Sequence, residues 1–253
     1  MEKKRIIPKL EIKNEYLIKG IQYEGLRVVG DPKEFALKYY KDGADQLLVT
    51  DIVASLYSRE NLFKTIENLS ENIFIPITAG GGINKIEDIK KLLNSGADRV
   101  SLNSVLFENT ELINDVLNYF GSQFLTIMIE AKKIDNNFYC MKNHGRENTG
   151  ITVNKWLDFL LTKDFGELAV FSVDNDGMSL GPDRELLDII NSKITNIPII
   201  YGGGINKLDQ ISEIIKLYNL SGVSLGSSLH FNKFNIEQIK KLLKLNNINI
   251  NEF

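Results

Sequence analysis

The amino-acid sequence contains one segment twice. Residues 76–85 read PITAGGGINK, and residues 198–207 read PIIYGGGINK. Three further pairs of segments match in the same order: residues 7–11 with 126–130, 43–51 with 166–174, and 100–106 with 223–229. Because the matches keep one order and a nearly constant spacing, the chain is predicted to consist of two copies of one half-structure. This alignment makes Glu11 equivalent to Glu130, and Asp51 equivalent to Asp174.

Strand-length apolar runs alternate with amphipathic segments along the whole chain. Eight such runs occur, at residues 5–12, 46–50, 73–78, 99–102, 124–129, 168–173, 197–201 and 222–225. Repeated strand–helix units form a parallel sheet, and eight of them in 253 residues fit a (β/α)8 barrel, the TIM-barrel fold. The sequence therefore predicts one α/β domain, residues 1–253, built from two similar half-barrels.

Composition and charge exclude several classes of protein. The 30 Lys and Arg residues against 33 Asp and Glu give a net charge of −3, which offers no broad positive surface to nucleic acid. One cysteine, Cys140, and two histidines cannot form an intrachain disulfide or a Cys/His metal cage. The sequence shows no export signal and no membrane-spanning run. We expect a cytoplasmic protein without metal, cofactor, nucleic-acid partner or membrane partner.

Each copy of the repeat has a glycine triplet between a strand and a helix. In this setting backbone N–H groups and a helix N-terminus converge on one point, which suits a phosphate, although a glycine turn chosen for packing has the same sequence. One strand–helix unit later, each triplet is followed by a small polar pair, Asn103-Ser104 and Gly226-Ser227. The duplication places the two sites on opposite sides of the barrel mouth. The predicted ligand is therefore an elongated molecule with a phosphate at each end.

Acidic side chains lie at the predicted strand ends between the two anion sites. Glu11 and Glu130 face each other there and are candidates for a general acid and a general base. The alternative is that they form ion pairs with Lys9, Lys19 or Lys132. Asp51, Asp174 and the turn residues Asp176 and Gly177 are weaker candidates for binding the ligand. Lys19, in the long first βα loop, could close over an anion.

The remaining polar residues of interest lie in one loop and at the opposite end of the barrel. His144 belongs to a polar loop after the fifth strand, which is predicted to be a mobile flap; it is a candidate base or an ordinary loop residue. His230 is expected to be packed or capping, and Cys140 to be inert. Charged and polar residues at the strand N-termini form a predicted docking ring: Arg5, Arg99, Gln123 and Glu167.

Taken together, these motifs resemble the cyclase subunit of imidazole glycerol phosphate synthase, a histidine-pathway (β/α)8 barrel that works with a glutaminase subunit. The resemblance covers residues 4–243. It is carried by RIIP (5–8), IKG (18–20), GDP (30–32), GAD (43–45), DIVAS (51–55), TAGGGI (78–83), GADRVSLN (96–103), GSQ (121–123), GR (145–146), TG (149–150), DNDG (174–177) and the second glycine triplet.

The resemblance implies a bisphosphorylated ribulosyl-formimino substrate, ammonia delivered through the barrel, cleavage of the substrate, and closure of an imidazole ring. It implies catalytic roles for Glu11 and Glu130. One phosphate site would comprise Gly82, Asn103 and Ser104. The other would comprise Asp176, Gly177, Gly203, Gly204, Gly226 and Ser227, with Lys19, Asp51 and Asp174 as further substrate contacts. The resemblance also implies a partner interface and an ammonia gate, formed by Arg5, Gln46, Asp98, Arg99, Gln123 and Glu167. The glutaminase is expected to form a 1:1 heterodimer with this chain.

The sequence departs from the family at several of these positions. The family has aspartate where this chain has Glu11 and Glu130, and usually cysteine where it has Lys9. At the gate the family has glutamate in place of Gln46 and lysine in place of Arg99. An alternative is a paralogue that acts with an amidotransferase in acetamidino surface-sugar synthesis. A phosphoribosyl isomerase and an inactive ammonia conduit are further alternatives.

Overall fold

The computed structural model describes residues 2–53 and 60–251, so that Ala54 and Ser55 of the DIVAS motif lie outside the described residues. The strands within these ranges, in chain order, are β1 (Arg5–Lys13), β2 (Tyr16–Ile21), β3 (Glu24–Gly30), β4 (Leu47–Asp51), β5 (Ile77–Gly80), β6 (Arg99–Leu102), β7 (Leu125–Ile134), β8 (Asn137–Lys142), β9 (Glu147–Thr152), β10 (Glu167–Ser172), β11 (Ile199–Gly202) and β12 (Gly222–Leu225).

Helices connect most of the strands in this part of the chain. The α-helices are α1 (Pro32–Lys41), α2 (Glu60–Ser70), α3 (Ile86–Asn94), α4 (Glu111–Phe120), α5 (Val153–Leu160), α6 (Arg184–Lys193), α7 (Leu208–Leu217), α8 (Ser227–His230) and α9 (Ile236–Leu245). Local sequence explains their limits: α1, for example, begins where the Asp31 side chain accepts hydrogen bonds from the backbone N–H groups of Lys33 and Glu34, with Pro32 in the first turn. No helix of the described residues is both long enough and apolar enough to cross a membrane.

Eight of the strands close into a parallel barrel. Their order is β1-β4-β5-β6-β7-β10-β11-β12, and β12 pairs with β1 to complete the ring. This arrangement confirms the predicted (β/α)8 fold. The run predicted at residues 73–78 was partly wrong, because the strand begins at Ile77 and Phe74 is exposed in the irregular segment before it.

Two antiparallel hairpins extend the barrel and were missed by the sequence analysis. β2 and β3 follow β1, and β8 and β9 follow β7, so each half-barrel carries a hairpin after its first strand. The polar loop predicted after the fifth strand is in fact the tip of the second hairpin. The hairpins gave no clear signal because β3 and β9 are largely exposed and lack an apolar run.

The barrel separates two apolar regions. The larger one lies between the strands and the surrounding helices. A smaller group fills the barrel interior: Ile7, Leu48, Met128, Ala169, Phe171 and Ile200. Since these side chains are buried, the interior is packed, and charged groups lie at its two ends.

The strand register defines which residues of the two halves are equivalent. Glu11 pairs with Thr50 and Glu130 pairs with Phe171, so Glu11 and Glu130 are equivalent, as the alignment has them. Thr50 also pairs with Gly80, and Phe171 with Gly202, which makes Asp51 equivalent to Ser172. The predicted equivalence of Asp51 and Asp174 is therefore wrong. The aligned glycines lie at different distances from the paired residues, since Gly43 precedes Thr50 by seven residues and Gly166 precedes Phe171 by five, which shifts the sequence match by two residues.

Candidate active site at the barrel mouth

Glu11 lies at the centre of a buried ion-pair network at the C-terminal end of β1. Its carboxylate contacts Lys9 Nζ at 2.8 Å and Lys19 Nζ at 2.8 Å. Lys19 also contacts Asp176 Oδ2 at 2.6 Å. Burial alone would raise the pKa of Glu11, but the two lysines outweigh it and hold this pKa well below its usual value. Glu11 is thus ionised, and the ion pairs left open by the sequence are present with Lys9 and Lys19.

Glu130 occupies the equivalent strand end, and no lysine or arginine of the described residues forms an ion pair with it. Its Oε2 accepts hydrogen bonds from Asn103 Nδ2 at 3.1 Å and from the Gly145 backbone N–H at 3.0 Å. Burial raises the pKa of Glu130 to about 7, against the opposing influence of Lys9 and the Gly145 hydrogen bond. Two equivalent carboxyl groups therefore differ in charge state near neutral pH. Such a pair can supply one proton donor and one proton acceptor.

The two hairpins meet over the centre of the mouth. The rings of Tyr23 and His144 stack with centroids 4.2 Å apart. Gln22, beside Tyr23, donates through its side chain to the carbonyl of Asp174 at 2.9 Å, and through its backbone to the carbonyl of Asp176 at 2.8 Å. The first hairpin consequently contacts loops of the second half-barrel, and Glu11 is only 1% exposed.

A cavity of about 290 Å³ opens beside Glu130 in the first half-barrel. Its wall includes the first glycine triplet, the Asn103-Ser104 pair and the hairpin tip. Four residues of its wall each carry a buried side-chain atom without a hydrogen-bond partner among the described residues: Thr50 Oγ1, Ser101 Oγ, Asn103 Oδ1 and His144 Nε2. Buried polar atoms are normally paired, so these atoms mark a place where a polar ligand would supply the missing partners.

The cavity brings together the residues predicted for the first phosphate site. Gly82 has a left-handed backbone with φ +62°, and it lines the cavity together with Asn103 and Ser104. Ser104 Oγ accepts a hydrogen bond from the Asn143 backbone N–H at 2.9 Å, and its own hydroxyl proton remains to be donated. Asp51 lines the same cavity, with Oδ1 accepting from the Val53 backbone N–H at 2.9 Å.

The residues predicted for the second phosphate site are close together, but their charges are already paired. A Cβ atom added to Gly226 would lie 3.6 Å from Lys19 Cε, and Gly177 lies against Gly20 and Ile21 of the first hairpin. Gly203 and Gly204 pack against the loop after β10, and Ser227 begins α8. Asp174 lies further away, where its Oδ2 accepts from the Lys133 backbone N–H at 2.7 Å. Among the described residues the two predicted sites therefore differ: the first adjoins a cavity, whereas in the second the side chains of Lys19 and Asp176 are paired with each other.

The opposite end of the barrel holds a second polar cluster. Arg5 contacts Glu167 Oε1 at 2.5 Å and Gln46 Oε1 at 2.8 Å, and Gln46 Nε2 donates to Thr78 Oγ1 at 2.8 Å. Arg99 contacts the same Glu167 oxygen at 3.5 Å. Glu167 is buried inside this cluster, whereas Asp98 and Gln123 are exposed at the rim. Four of the six predicted gate residues thus form one network across the barrel floor.

The environments of three further side chains, His230, Cys140 and Tyr23, can be compared with the sequence predictions. His230 is packed, as expected: its Nδ1 lies 2.7 Å from Tyr39 Oη, and burial lowers its pKa to about 4. Cys140 is buried, and burial raises its thiol pKa to about 12, which agrees with an inert side chain. Tyr23 is the mouth residue that sequence reasoning missed. Nothing in the pattern around it indicated a long-range contact.

An eight-stranded barrel with two equivalent mouth carboxylates and two equivalent glycine turns defines a half-barrel-duplicated (β/α)8 protein. The family model described as "Histidine biosynthesis protein" matches residues 5–235. Three proteins named imidazole glycerol phosphate synthase subunit HisF are similar over most of their length. The one from Natranaerobius thermophilus is 35% identical over 95% of both chains, the one from Legionella pneumophila 43% over 84% of this chain and all of its own, and the one from Clostridium beijerinckii 39% over 99% of both. The chain belongs to the HisF family, a family of enzymes of histidine biosynthesis. These names support the cyclase interpretation rather than the alternative of a paralogue in surface-sugar synthesis.

Proposed function

We propose that this chain is the cyclase and lyase subunit that uses ammonia to convert a bisphosphorylated ribulosyl-formimino aminoimidazole carboxamide ribotide. The products are imidazole glycerol phosphate and aminoimidazole carboxamide ribotide. One observation carries the proposal most directly: a cavity lined by Gly81, Gly82 and Glu130 has four further wall residues whose buried polar atoms lack a partner among the described residues. Phosphate-binding groups and a proton-carrying carboxyl group therefore face one ligand-sized space.

Glu130 and Glu11 have complementary roles in this proposal. Glu130, with its raised pKa, retains a proton on a fraction of molecules at neutral pH and donates it to the leaving nitrogen. Glu11, held ionised by Lys9 and Lys19, accepts a proton from the attacking nitrogen during ring closure. Each glutamate is one methylene longer than the aspartate of the family, and the ion pairs of Glu11 fix where its longer side chain ends.

Substrate binding in this proposal requires the first hairpin to open. Tyr23, Lys19 and Glu11 are each no more than 5% exposed, so the mouth centre is closed. An incoming second phosphate would compete with Asp176 and Glu11 for the Lys19 ammonium group. The same ammonium would then hold the phosphate while Gly226 and Ser227 provide backbone donors. Substrate would thereby replace the contacts that keep the hairpin shut.

Ammonia is proposed to enter from the opposite end of the barrel. Its route would start at the Arg5–Glu167–Gln46 cluster and continue through the apolar interior group, which suits a small neutral molecule. A glutaminase subunit would dock over this end as a 1:1 heterodimer. Exposed large apolar side chains ring the same end, at helix C-termini or before a strand: Phe74, Tyr119, Leu161, Leu217 and Leu245. In this proposal the docked partner would cover these side chains.

Turnover of the family substrate with ammonium salt tests the proposal without the partner. Purified chain should form imidazole glycerol phosphate, and Glu130→Gln and Glu11→Gln should each lower kcat at least about 100-fold, in the range of lost acid–base catalysis. The exposed variant Glu237→Gln is the matched control. Product formation unchanged by both mouth variants would reject the assignment, as would turnover without ammonia, which would instead indicate an isomerase.

A further inference from the structure

His144 lies at the barrel mouth but has no role in the reaction proposed above. It lies at the tip of the β8–β9 hairpin with φ +59°, a left-handed backbone that histidine adopts more readily than most residues. The side chain is only 8% exposed. The Tyr23 ring covers one face, and the Nδ1 atom lies 3.8 Å from Glu130 Oε1. The ring is therefore held in a defined orientation beside a candidate catalytic carboxyl group.

The other ring nitrogen has no partner. His144 Nε2 is buried and makes no hydrogen bond within the described residues, and the imidazole lines the cavity beside Glu130. Burial lowers the pKa of His144 to about 3, so the ring is neutral and offers one donor and one acceptor nitrogen. A buried nitrogen without a partner costs free energy that only a bound polar group would recover.

The other unpartnered atoms of the cavity wall indicate which chemical groups the bound ligand carries. Thr50 and Ser101 contribute hydroxyl groups, each able to donate or accept, and Asn103 Oδ1 contributes an acceptor. A phosphate alone has only acceptor oxygens when fully ionised and cannot satisfy Asn103 Oδ1. A phosphate monoester with hydroxyl groups on its first carbons offers both the acceptor oxygens and the donor that these atoms lack. The cavity volume of about 290 Å³ is near the lower end for small-molecule sites.

We propose that His144 is a substrate-binding residue of this chain, whose Nε2 forms a hydrogen bond with a hydroxyl-bearing carbon chain attached to the phosphate in the first site. The inference rests on the proposed function and extends it, since it identifies which end of the substrate this cavity accepts. The hydroxylated phosphate end binds next to Glu130. The base-bearing end then extends towards the second glycine triplet.

Glycerol 3-phosphate is the probe, and inorganic phosphate is its matched comparison. His144→Gln keeps a hydrogen-bonding atom near the position of Nε2, His144→Asn keeps one near Nδ1, and His144→Phe keeps only the stacking on Tyr23. One lost hydrogen bond of about 0.5–1.5 kcal/mol corresponds to roughly 2- to 13-fold in affinity. By calorimetry, the Asn and Phe variants should lose affinity for glycerol 3-phosphate within that range, while the Gln variant stays close to the wild type. Affinity for inorganic phosphate should change less than twofold in all three.

An NMR measurement on the wild-type chain tests the inference even if the variants fail to fold. The chain has only two histidines, so long-range imidazole ¹H–¹⁵N spectra resolve His144 and His230. Glycerol 3-phosphate should shift the Nε2 resonance of His144, and inorganic phosphate should shift it less. An unshifted His144 resonance under saturating glycerol 3-phosphate overturns the inference, and so does an equal loss of affinity for both probes. Turnover of the family substrate is assayed separately. If glycerol 3-phosphate binds through His144 but the chain closes no imidazole ring, the proposed function alone is refuted. If the chain closes the ring but His144→Phe binds glycerol 3-phosphate as tightly as the wild type, the inference alone is refuted.

Discussion

Tyr23 and His144 stack across the barrel mouth with their ring planes 22° apart, and each lies at the tip of a hairpin that follows the first strand of its half-barrel. Both residues have a left-handed backbone, with φ +64° at Tyr23 and +59° at His144. For tyrosine this conformation is strained, whereas histidine adopts it more readily. The stack thus joins equivalent elements of the two halves in a closed mouth that carries some backbone strain.

Tyr23→Ala should loosen this closed mouth. Loss of the ring removes the stack on His144 and the contact with Lys9 Nζ, which lies 4.9 Å from the Tyr23 centroid. Amide hydrogen exchange in β2 and β3 should accelerate, while exchange in the barrel strands stays unchanged. Tyr16→Ala, at an exposed position of the same hairpin, is the control. Equal exchange in both variants would show that the stack does not hold the hairpin.

Lys9→Met should make Glu11 easier to protonate. The variant removes one of the two cations on the carboxylate and leaves burial unchanged, so the pKa of Glu11 rises. A lowered folded-state pKa contributes stability above the unfolded value of 4.5 that is lost as pH falls through the folded value. Acid unfolding should therefore begin at higher pH in the variant, with a loss of up to about 3 kcal/mol at neutral pH. Lys13→Met, exposed on the same strand, should leave the acid midpoint in place.

Glu130→Gln should change the pH dependence of stability in the opposite sense. The pKa of Glu130 is raised from 4.5 to about 7, so its contribution to stability is complete below pH 4.5 and is lost as pH rises through about 7. Glutamine stays neutral throughout. The Tm of the variant should match that of the wild type at low pH and exceed it above pH 7. A difference that is constant across this range would mean that Glu130 does not titrate there.

The paired glycine turns predict matched effects of alanine. Gly81 and Gly203 have φ of +109° and +111°, and a Cβ atom would lie 2.2 Å from the Asp51 carbonyl oxygen and 2.7 Å from that of Ser172. Both strain and contact oppose a side chain, so Gly81→Ala and Gly203→Ala should each cost at least about 2 kcal/mol in free energy of unfolding. Gly150→Ala, with φ +73° and open space around it, isolates the backbone cost, and denaturant unfolding should find it the mildest of the three.

Barrel topology and carboxylate equivalence followed from the sequence because they depend on apolar runs and on a repeat, both local patterns. Such patterns determine the strand order and the equivalence of Glu11 with Glu130. The stack of Tyr23 on His144 and the ion pair of Lys19 with Asp176 join residues far apart in the chain. Both contacts depend on how the hairpins and the loop after β10 fold over the mouth, and the pattern of apolar residues in the sequence does not predict this. The predicted equivalence of Asp51 with Asp174 was wrong because the aligned glycines, Gly43 and Gly166, lie at different distances along the chain from the strands that follow them.

Asp98 provides the test of partner docking, because it is exposed at the N-terminal face whereas Glu167 is buried inside the barrel floor. Its Oδ2 accepts a hydrogen bond from the Ile77 backbone N–H at 2.8 Å, an interaction that Asp98→Asn can keep and Asp98→Lys cannot. A glutaminase with a complementary basic contact should therefore bind the Asn variant more weakly and the Lys variant more weakly still. Size-exclusion chromatography of the co-expressed pair measures this, with thermal melts to confirm folding. Glu24→Lys, exposed on the hairpin at the opposite end, should co-elute like the wild type. If all three variants co-elute with the partner equally well, the partner docks elsewhere.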